Sequence, residues 1–147
     1  MPIEAIERLY QLTETVPAKL DAINVLALEH KPAPGKWSKK QLIGHLIDSA
    51  TNNHHRFIRA QYEDAPCIGY DQNQWNELNH WQDTDKAQLI GLWTLYNRHL
   101  ITVLKHISVQ DLQQICRTDD NKTHTLEWLV TDYVAHMEHH LKQILDQ

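Results

Sequence analysis

The stretch TLEWLVTDYVAHMEHHLKQI (residues 125–144) carries apolar residues at helical spacing and places three histidines within five positions. With ~100° per residue and His136 set to zero, the apolar side chains centre near ~95°. His140 falls inside this apolar stripe at ~40°, His136 lies at its edge, and His139 points away at ~300°. The pattern therefore predicts a last helix over about residues 125–145, with His136 and His140 facing the interior and His139 facing solvent.

His136 and His140 have the spacing of two ligands for one metal ion. Residues i and i+4 on a helix are ~5–6 Å apart at Cβ, so two imidazoles there can converge on a single ion. The same spacing also occurs where two histidines at a bundle edge hydrogen-bond to backbone or water. A metal site further requires a third ligand from another helix that faces the core.

Upstream of this helix, three further helical patterns are separated by breaks. The first covers residues 3–30, where Pro17 either kinks the helix or begins a second one. The sequence SKKQ (38–41) has the pattern of a capping box and opens a helix that extends to about residue 61. Asp83 or Thr84 can cap a third long helix that extends to about residue 107.

These patterns predict an all-α fold, a four-helix bundle that forms a single domain over residues 1–147. Four glycines and five prolines are too few for the many tight turns of an all-β fold. The connection over residues 62–83, between the second and third long helices, is too long for a simple hairpin loop and is expected to include a short helical turn. Residues 108–124 are expected to form a turn, a short helix and a second turn.

Charge, hydropathy and cysteine usage argue against several classes of protein. The net charge is −5 and no run of Lys or Arg exceeds two residues, so no nucleic-acid partner is expected. The chain start lacks the pattern of a signal peptide, and no stretch approaches ~18 apolar residues, so no membrane partner is expected. Because Cys67 and Cys116 form no CxxC pair, the reducing cytoplasm is the expected location.

The second long helix offers a candidate third ligand beside a polar stripe. With His45 set to zero, the apolar residues of this helix centre near ~105°. Polar residues lie within ~60° of one another along the adjacent side: His45, Ser49, Asn52 and Arg56. Such a stripe is either the wall of a site or a half-exposed polar flank.

Three segments together resemble the DinB superfamily, most closely its YfiT-like branch. They are GKWSKKQLIGHLIDSATNNHHRF (35–57), YNRHL (96–100) and the stretch over residues 125–144. The resemblance implies a four-helix bundle in which three histidines bind one divalent metal ion, here His45, His136 and His140. It also implies a metal-dependent hydrolase, or a thiol-dependent transferase or isomerase.

Three imidazole ligands leave a coordination position open, which is typical of a catalytic rather than a structural site. Imidazole is a suitable ligand for zinc, nickel, copper and iron, and the sequence does not select among them; zinc or nickel is the expected ion. Such an ion lowers the pKa of a bound water towards ~7, or binds a thiol as a thiolate.

Three further side chains are candidates for supporting roles. Asp48, one turn from His45, either accepts a hydrogen bond that orients an imidazole or is a surface carboxylate that pairs with an arginine. Asn52 and Arg56 are candidate contacts for a polar or anionic substrate. The alternatives are an interhelical hydrogen bond for Asn52 and a solvated guanidinium for Arg56.

The sequence therefore predicts a mononuclear metal-dependent enzyme that acts on a small molecule, as a hydrolase or as a thiol-dependent transferase with a low-molecular-weight thiol. The alternative is a non-catalytic metal-binding or stress-response helical bundle. A homodimer is compatible with the apolar surface of such bundles.

Overall fold

A computed structural model describes residues 2–145 and confirms the all-α four-helix bundle. Met1, Asp146 and Gln147 belong to the predicted domain of residues 1–147 but lie outside the described residues. The four long helices are α1 (Ile3–Asp21), α3 (Lys39–Arg59), α5 (Lys86–Lys105) and α6 (Leu126–Leu145). Two short helices, α2 (Val25–Glu29) and α4 (Gln72–Leu78), lie in the connections. None of the helices in residues 2–145 is both long and apolar enough to cross a membrane.

The long helices pack so that α5 and α6 each contact both α1 and α3. Apolar side chains from all four helices fill the space between them, and burying each large one contributes about 1.5–3 kcal/mol. The largest fully buried side chains include Trp93, Phe57, Leu9, Leu46, Leu100, Leu126 and Met137. This packing brings α3, with its polar stripe, directly against α6 and its histidines.

The start of α3 is set by the predicted capping box. Ser38 Oγ accepts from the backbone N–H of Gln41 at 3.1 Å, and Gln41 Oε1 accepts from the backbone N–H of Ser38 at 2.9 Å. A side-chain cap of this kind contributes about 1 kcal/mol of helix stability. Because the box fixes where α3 begins, it also fixes the direction in which His45 points.

Two helix boundaries differ from the sequence prediction. Pro17 lies inside α1, which continues to Asp21, and Asn24 rather than Pro17 begins the next helix by capping α2. The third long helix is capped by Asp85, which accepts from the backbone N–H of Gln88 at 3.2 Å, rather than by Asp83 or Thr84. The reason is that residues 81–83 form a separate 3₁₀ turn, which places Asp83 before the helix.

The segment between α5 and α6 contains a small hairpin that the sequence did not predict. Residues 111–113 form the expected short helical turn. They are followed by β1 (Ile115–Arg117) and β2 (Thr123–Thr125), which pair antiparallel with Cys116 opposite His124. Strands of three residues are too short to show a period-two pattern, so the sequence analysis predicted only a turn after the short helix and missed these strands.

The long connection over residues 62–83 packs against α3 rather than extending into solvent. Asn76 Nδ2 donates to the carbonyl of Gln41 at 2.9 Å. Asn79 Nδ2 and Trp81 Nε1 both donate to the carboxylate of Asp48, at 2.7 Å and 3.1 Å. These bonds hold α4 and the following turn along the half of α3 that carries His45.

Candidate metal centre

Three imidazoles from two helices meet at one point. His45 Nε2 lies 3.3 Å from His136 Nε2, and His140 Nε2 lies 3.2 Å from the same atom. Two nitrogens bound to one tetrahedral zinc at ~2.0–2.1 Å would be about 3.3 Å apart. Among the described residues, these three histidines are the group whose ligand atoms all lie within 4.8 Å of one another. Their spacing therefore fits a shared metal ion.

The burial of the α6 histidines agrees with the helix phase predicted from the sequence, and His45 is more buried than a half-exposed polar flank would be. His45 on α3 is 1% exposed, and His136 and His140 on α6 are half-buried. His139, between them in sequence, is exposed. Because positions i and i+4 share a helix face, His136 and His140 face α3 together and His139 does not.

The surroundings keep two of these imidazoles neutral. Burial, followed by the nearby His136 and His140, lowers the pKa of His45 to about 3. Burial, followed by His140 and His139, lowers the pKa of His136 to about 4. A metal ion binds the neutral imidazole, so both residues are in the form that ligation needs at neutral pH.

Gln143 orients His140 within the cluster. Its Oε1 is an acceptor only, so His140 Nδ1–H must donate to it across 2.9 Å. The proton on Nδ1 leaves the lone pair of Nε2 free and directed at the other two histidines. The sequence prediction treated Gln143 as an ordinary polar residue on the helix face, although its i+3 spacing from His140 was the available signal.

His45 has a different environment. Its Nδ1 is buried and has no hydrogen-bond partner among the described residues. The indole of Trp37 packs over its ring with the centroids 4.9 Å apart. This orphaned nitrogen leaves Nε2, the atom that faces His136, as the only nitrogen of His45 with a polar neighbour.

Asp48 does not orient the imidazole of His45, which was one of the two roles considered for it. Its carboxylate accepts from Trp81 Nε1 and Asn79 Nδ2, and the Nδ1 of His45 has no partner. Burial raises the pKa of Asp48 to about 6, against the effect of those two hydrogen bonds. The surface-carboxylate alternative is also wrong, because the residue is 1% exposed. Asp48 instead fastens the long connection to α3.

Asn52 and Arg56 are buried rather than half-exposed, at 5% and 8%. Asn52 Nδ2 donates to the carbonyl of Asp48 within the same helix. Arg56 Nε donates to the carbonyl of Ile68 at 3.0 Å, so the guanidinium is tied to the long connection rather than solvated. The structure thus places both side chains on the buried polar side of α3, beyond His45, and their contact with substrate stays a prediction.

Comparison with known proteins points to one family. A family model described as "DinB superfamily" matches residues 5–144. "Putative metal-dependent hydrolase YfiT" of Bacillus subtilis is 29% identical over 149 aligned positions, which cover 97% of this chain and 84% of that protein. A relative of the same functional description from Halalkalibacterium halodurans is 29% identical over 135 positions, covering 88% of this chain and 78% of that protein.

Two solved structures share the fold. The first is YfiT from Bacillus subtilis, described as "a probable metal-dependent hydrolase with an unusual four-helix bundle topology". It superimposes with a TM-score of 0.83 at 27% identity, and the superposition covers 96% of this chain and 84% of that one. A mycothiol-dependent maleylpyruvate isomerase superimposes with a TM-score of 0.70 at 13% identity, covering 96% of this chain and 60% of that one. At 13% identity the second likeness concerns the fold alone.

Proposed function

Because this chain belongs to the DinB superfamily, we propose that it is a mononuclear enzyme in which His45, His136 and His140 hold one divalent metal ion. The observation that carries the proposal is the convergence of their three Nε2 atoms between α3 and α6. Its relatives that are described as metal-dependent hydrolases support the same reading.

The proposed site keeps at least one coordination position for a reactant. Among the described residues, no cysteine, aspartate or glutamate joins the three histidines as a fourth ligand. Three protein ligands with an open position distinguish catalytic from structural zinc sites. Zinc or nickel is the proposed ion, since imidazole nitrogen is a suitable ligand for both. When bound, such an ion lowers the pKa of a coordinated water or thiol and polarises a carbonyl group.

The surrounding residues of the chain prepare the ligands and exclude water. Burial holds His45 and His136 neutral, and Gln143 fixes the tautomer of His140. The indole of Trp37 packs on the ring of His45 and limits access of water to it. We propose that Asn52 and Arg56, farther along the same side of α3, contact a second polar group of the substrate.

Two reactions fit this site. In the first, a hydrolase, water attacks a carbonyl or related centre of a small molecule. In the second, a thiol-dependent transferase, a low-molecular-weight thiol takes the place of water. The relatives named as hydrolases favour the first, and the fold shared with a mycothiol-dependent isomerase is the reason to test the second.

The test is a panel of small esters, amides and electrophiles assayed with and without an added thiol. Zinc-loaded and nickel-loaded protein should turn over at least one class of substrate, and chelation should abolish that turnover. His136→Ala should be inactive and His139→Ala active, because only the first removes a ligand. Activity that survives both chelation and His136→Ala would refute the metal-dependent reaction. One bound ion without turnover of any substrate would favour the non-catalytic metal-binding bundle.

Two further expectations remain proposals. The reducing cytoplasm is the proposed location, since Cys67 and Cys116 are both free thiols. A homodimer is the proposed assembly, and sedimentation equilibrium at micromolar concentration would distinguish it from a monomer.

A further inference from the structure

A cleft of about 500 Å³ opens beside the metal centre. It lies between the loop over residues 31–37, the start of α3, the start of α4 and the end of α6. Two of its lining residues also touch the histidine cluster: Trp37 packs on His45, and Gln143 accepts from His140. The cleft therefore adjoins the proposed metal site through these two side chains.

The charge of this cleft is opposite to that of the whole chain. Lys36 and Lys39 line it, and none of its described lining residues is acidic. The chain as a whole carries a net charge of −5. A local excess of cationic side chains in an acidic protein favours an anionic ligand.

A second cleft of about 460 Å³ provides a contrast. It shares Lys36 and Trp37 with the first, but Glu77 and Asp83 also line it, and Gln143 does not. Its mixed charge and its separation from Gln143 make the first cleft the better candidate for binding a substrate that reaches the metal centre.

The remaining walls of the first cleft are apolar or neutral. Trp37 and Leu42 offer apolar surface, and Asn73 adds a neutral amide. Gly35 has φ +77°, in the left-handed region that favours glycine, and this turn brings Lys36 and Trp37 to the same cleft. A ligand with one anionic group and an apolar body matches this combination of charge and apolar surface.

We propose that this cleft binds the carboxylate of the substrate, which is a small organic acid whose apolar body lies against Trp37. The inference deepens the proposed function and rests on it, because the reacting group of such a molecule would lie at the histidine cluster. The inference commits to a carboxylate rather than a phosphate, since the two lysines of the cleft balance a single negative charge beside apolar surface.

The test compares phenylacetate with its neutral isostere phenylacetamide by titration calorimetry on the zinc-loaded protein. Phenylacetate should bind at least about tenfold more tightly, and added salt should reduce the difference. Lys36→Gln should weaken phenylacetate binding about fivefold and leave phenylacetamide unchanged. The matched control Lys105→Gln, an exposed lysine in the last turn of α5, should change neither. Trp37→Leu should weaken both ligands, because it removes the shared apolar wall.

A separate titration of His136→Ala distinguishes failure of this inference from failure of the proposed function. Binding of phenylacetate that persists in His136→Ala and still depends on Lys36 supports the cleft even if the protein proves to have no metal-dependent activity. Binding that is lost in His136→Ala but unaffected by Lys36→Gln would place the carboxylate on the ion and overturn the inference. Equal affinity for phenylacetate and phenylacetamide would overturn it too, as would tighter binding of benzylphosphonate than of phenylacetate.

Discussion

Replacing Gly44 with alanine tests the contact that holds the long connection against α3 beside the histidine cluster. A Cβ at Gly44 would overlap Cγ and Cδ1 of the Trp81 ring and lie 2.6 Å from Trp81 Cβ. Trp81 is 7% exposed and donates from Nε1 to Asp48. The indole therefore cannot move aside without giving up that hydrogen bond, and the backbone of α3 cannot move without disturbing the neighbouring His45.

The expected cost follows from three contributions. Overpacking of a buried contact costs about 1–3 kcal/mol, and losing a hydrogen bond to a carboxylate costs about 1.5–3 kcal/mol. The higher helix propensity of alanine returns about 1 kcal/mol. Gly44→Ala should therefore lower the free energy of unfolding by roughly 1.5–5 kcal/mol, and Tm by roughly 5–15 °C.

The assay is urea denaturation of chelator-treated protein, so that metal binding does not contribute. The matched control is Gly91→Ala in α5, where a Cβ would meet nothing within 4 Å. That variant should be as stable as the wild type or more stable by up to about 1 kcal/mol. In a Trp81→Ala background, Gly44→Ala should lose most of its cost, because the overlapping ring is gone. Equal stability of Gly44→Ala and Gly91→Ala would refute the reasoning.

Three further predictions concern acid stability and metal affinity. Chelator-treated protein should lose stability as the pH falls from about 6.5 towards 4. In this range His45 and His136 bind protons in the unfolded chain but stay neutral in the folded chain, where their pKa values are about 3 and 4. Asp48 has the opposite effect, because its pKa of about 6 lets the folded chain bind a proton at a higher pH than the unfolded chain does. Asp48→Asn should therefore increase the stability that is lost between pH 7 and pH 5, as measured by urea denaturation at the two pH values. An unchanged loss of stability would contradict this prediction. Gln143→Leu should weaken zinc affinity about 10–100-fold in competition titrations. Replacement of its exposed neighbour, Lys142→Leu, should leave the affinity unchanged. Equal effects of the two substitutions would contradict the role of Gln143 in orienting His140.

Local sequence patterns were sufficient where the physical cause is itself local. The Ser38–Gln41 capping box involves residues three positions apart, so it could be predicted from the sequence and is present. The direction of His136 and His140 relative to His139 depends only on helix phase, and it is also confirmed. The assignment of His45 as the third ligand needed the family resemblance as well, since phase shows which side of α3 it occupies but not what it faces.

Contacts between distant segments could not be predicted in this way. Asp48 binds Asn79 and Trp81, which are 31 and 33 positions away, and nothing in the phase of α3 identifies those partners. The packing of Trp37 on His45 likewise depends on the left-handed turn at Gly35 in the preceding loop. These long-range contacts define the surroundings of the histidine cluster, which is why the sequence predicted the directions of the histidines better than their neighbours.

The most direct measurement is the metal content of purified protein and of four histidine variants, by elemental analysis after equilibration with zinc and gel filtration. Wild type and His139→Ala should each retain about one ion per chain, whereas His45→Ala, His136→Ala and His140→Ala should each retain little. Circular dichroism on every variant would show that the helices persist. If His139→Ala loses its ion with the other three, or if all four variants retain it, then these three imidazoles do not share a metal ion.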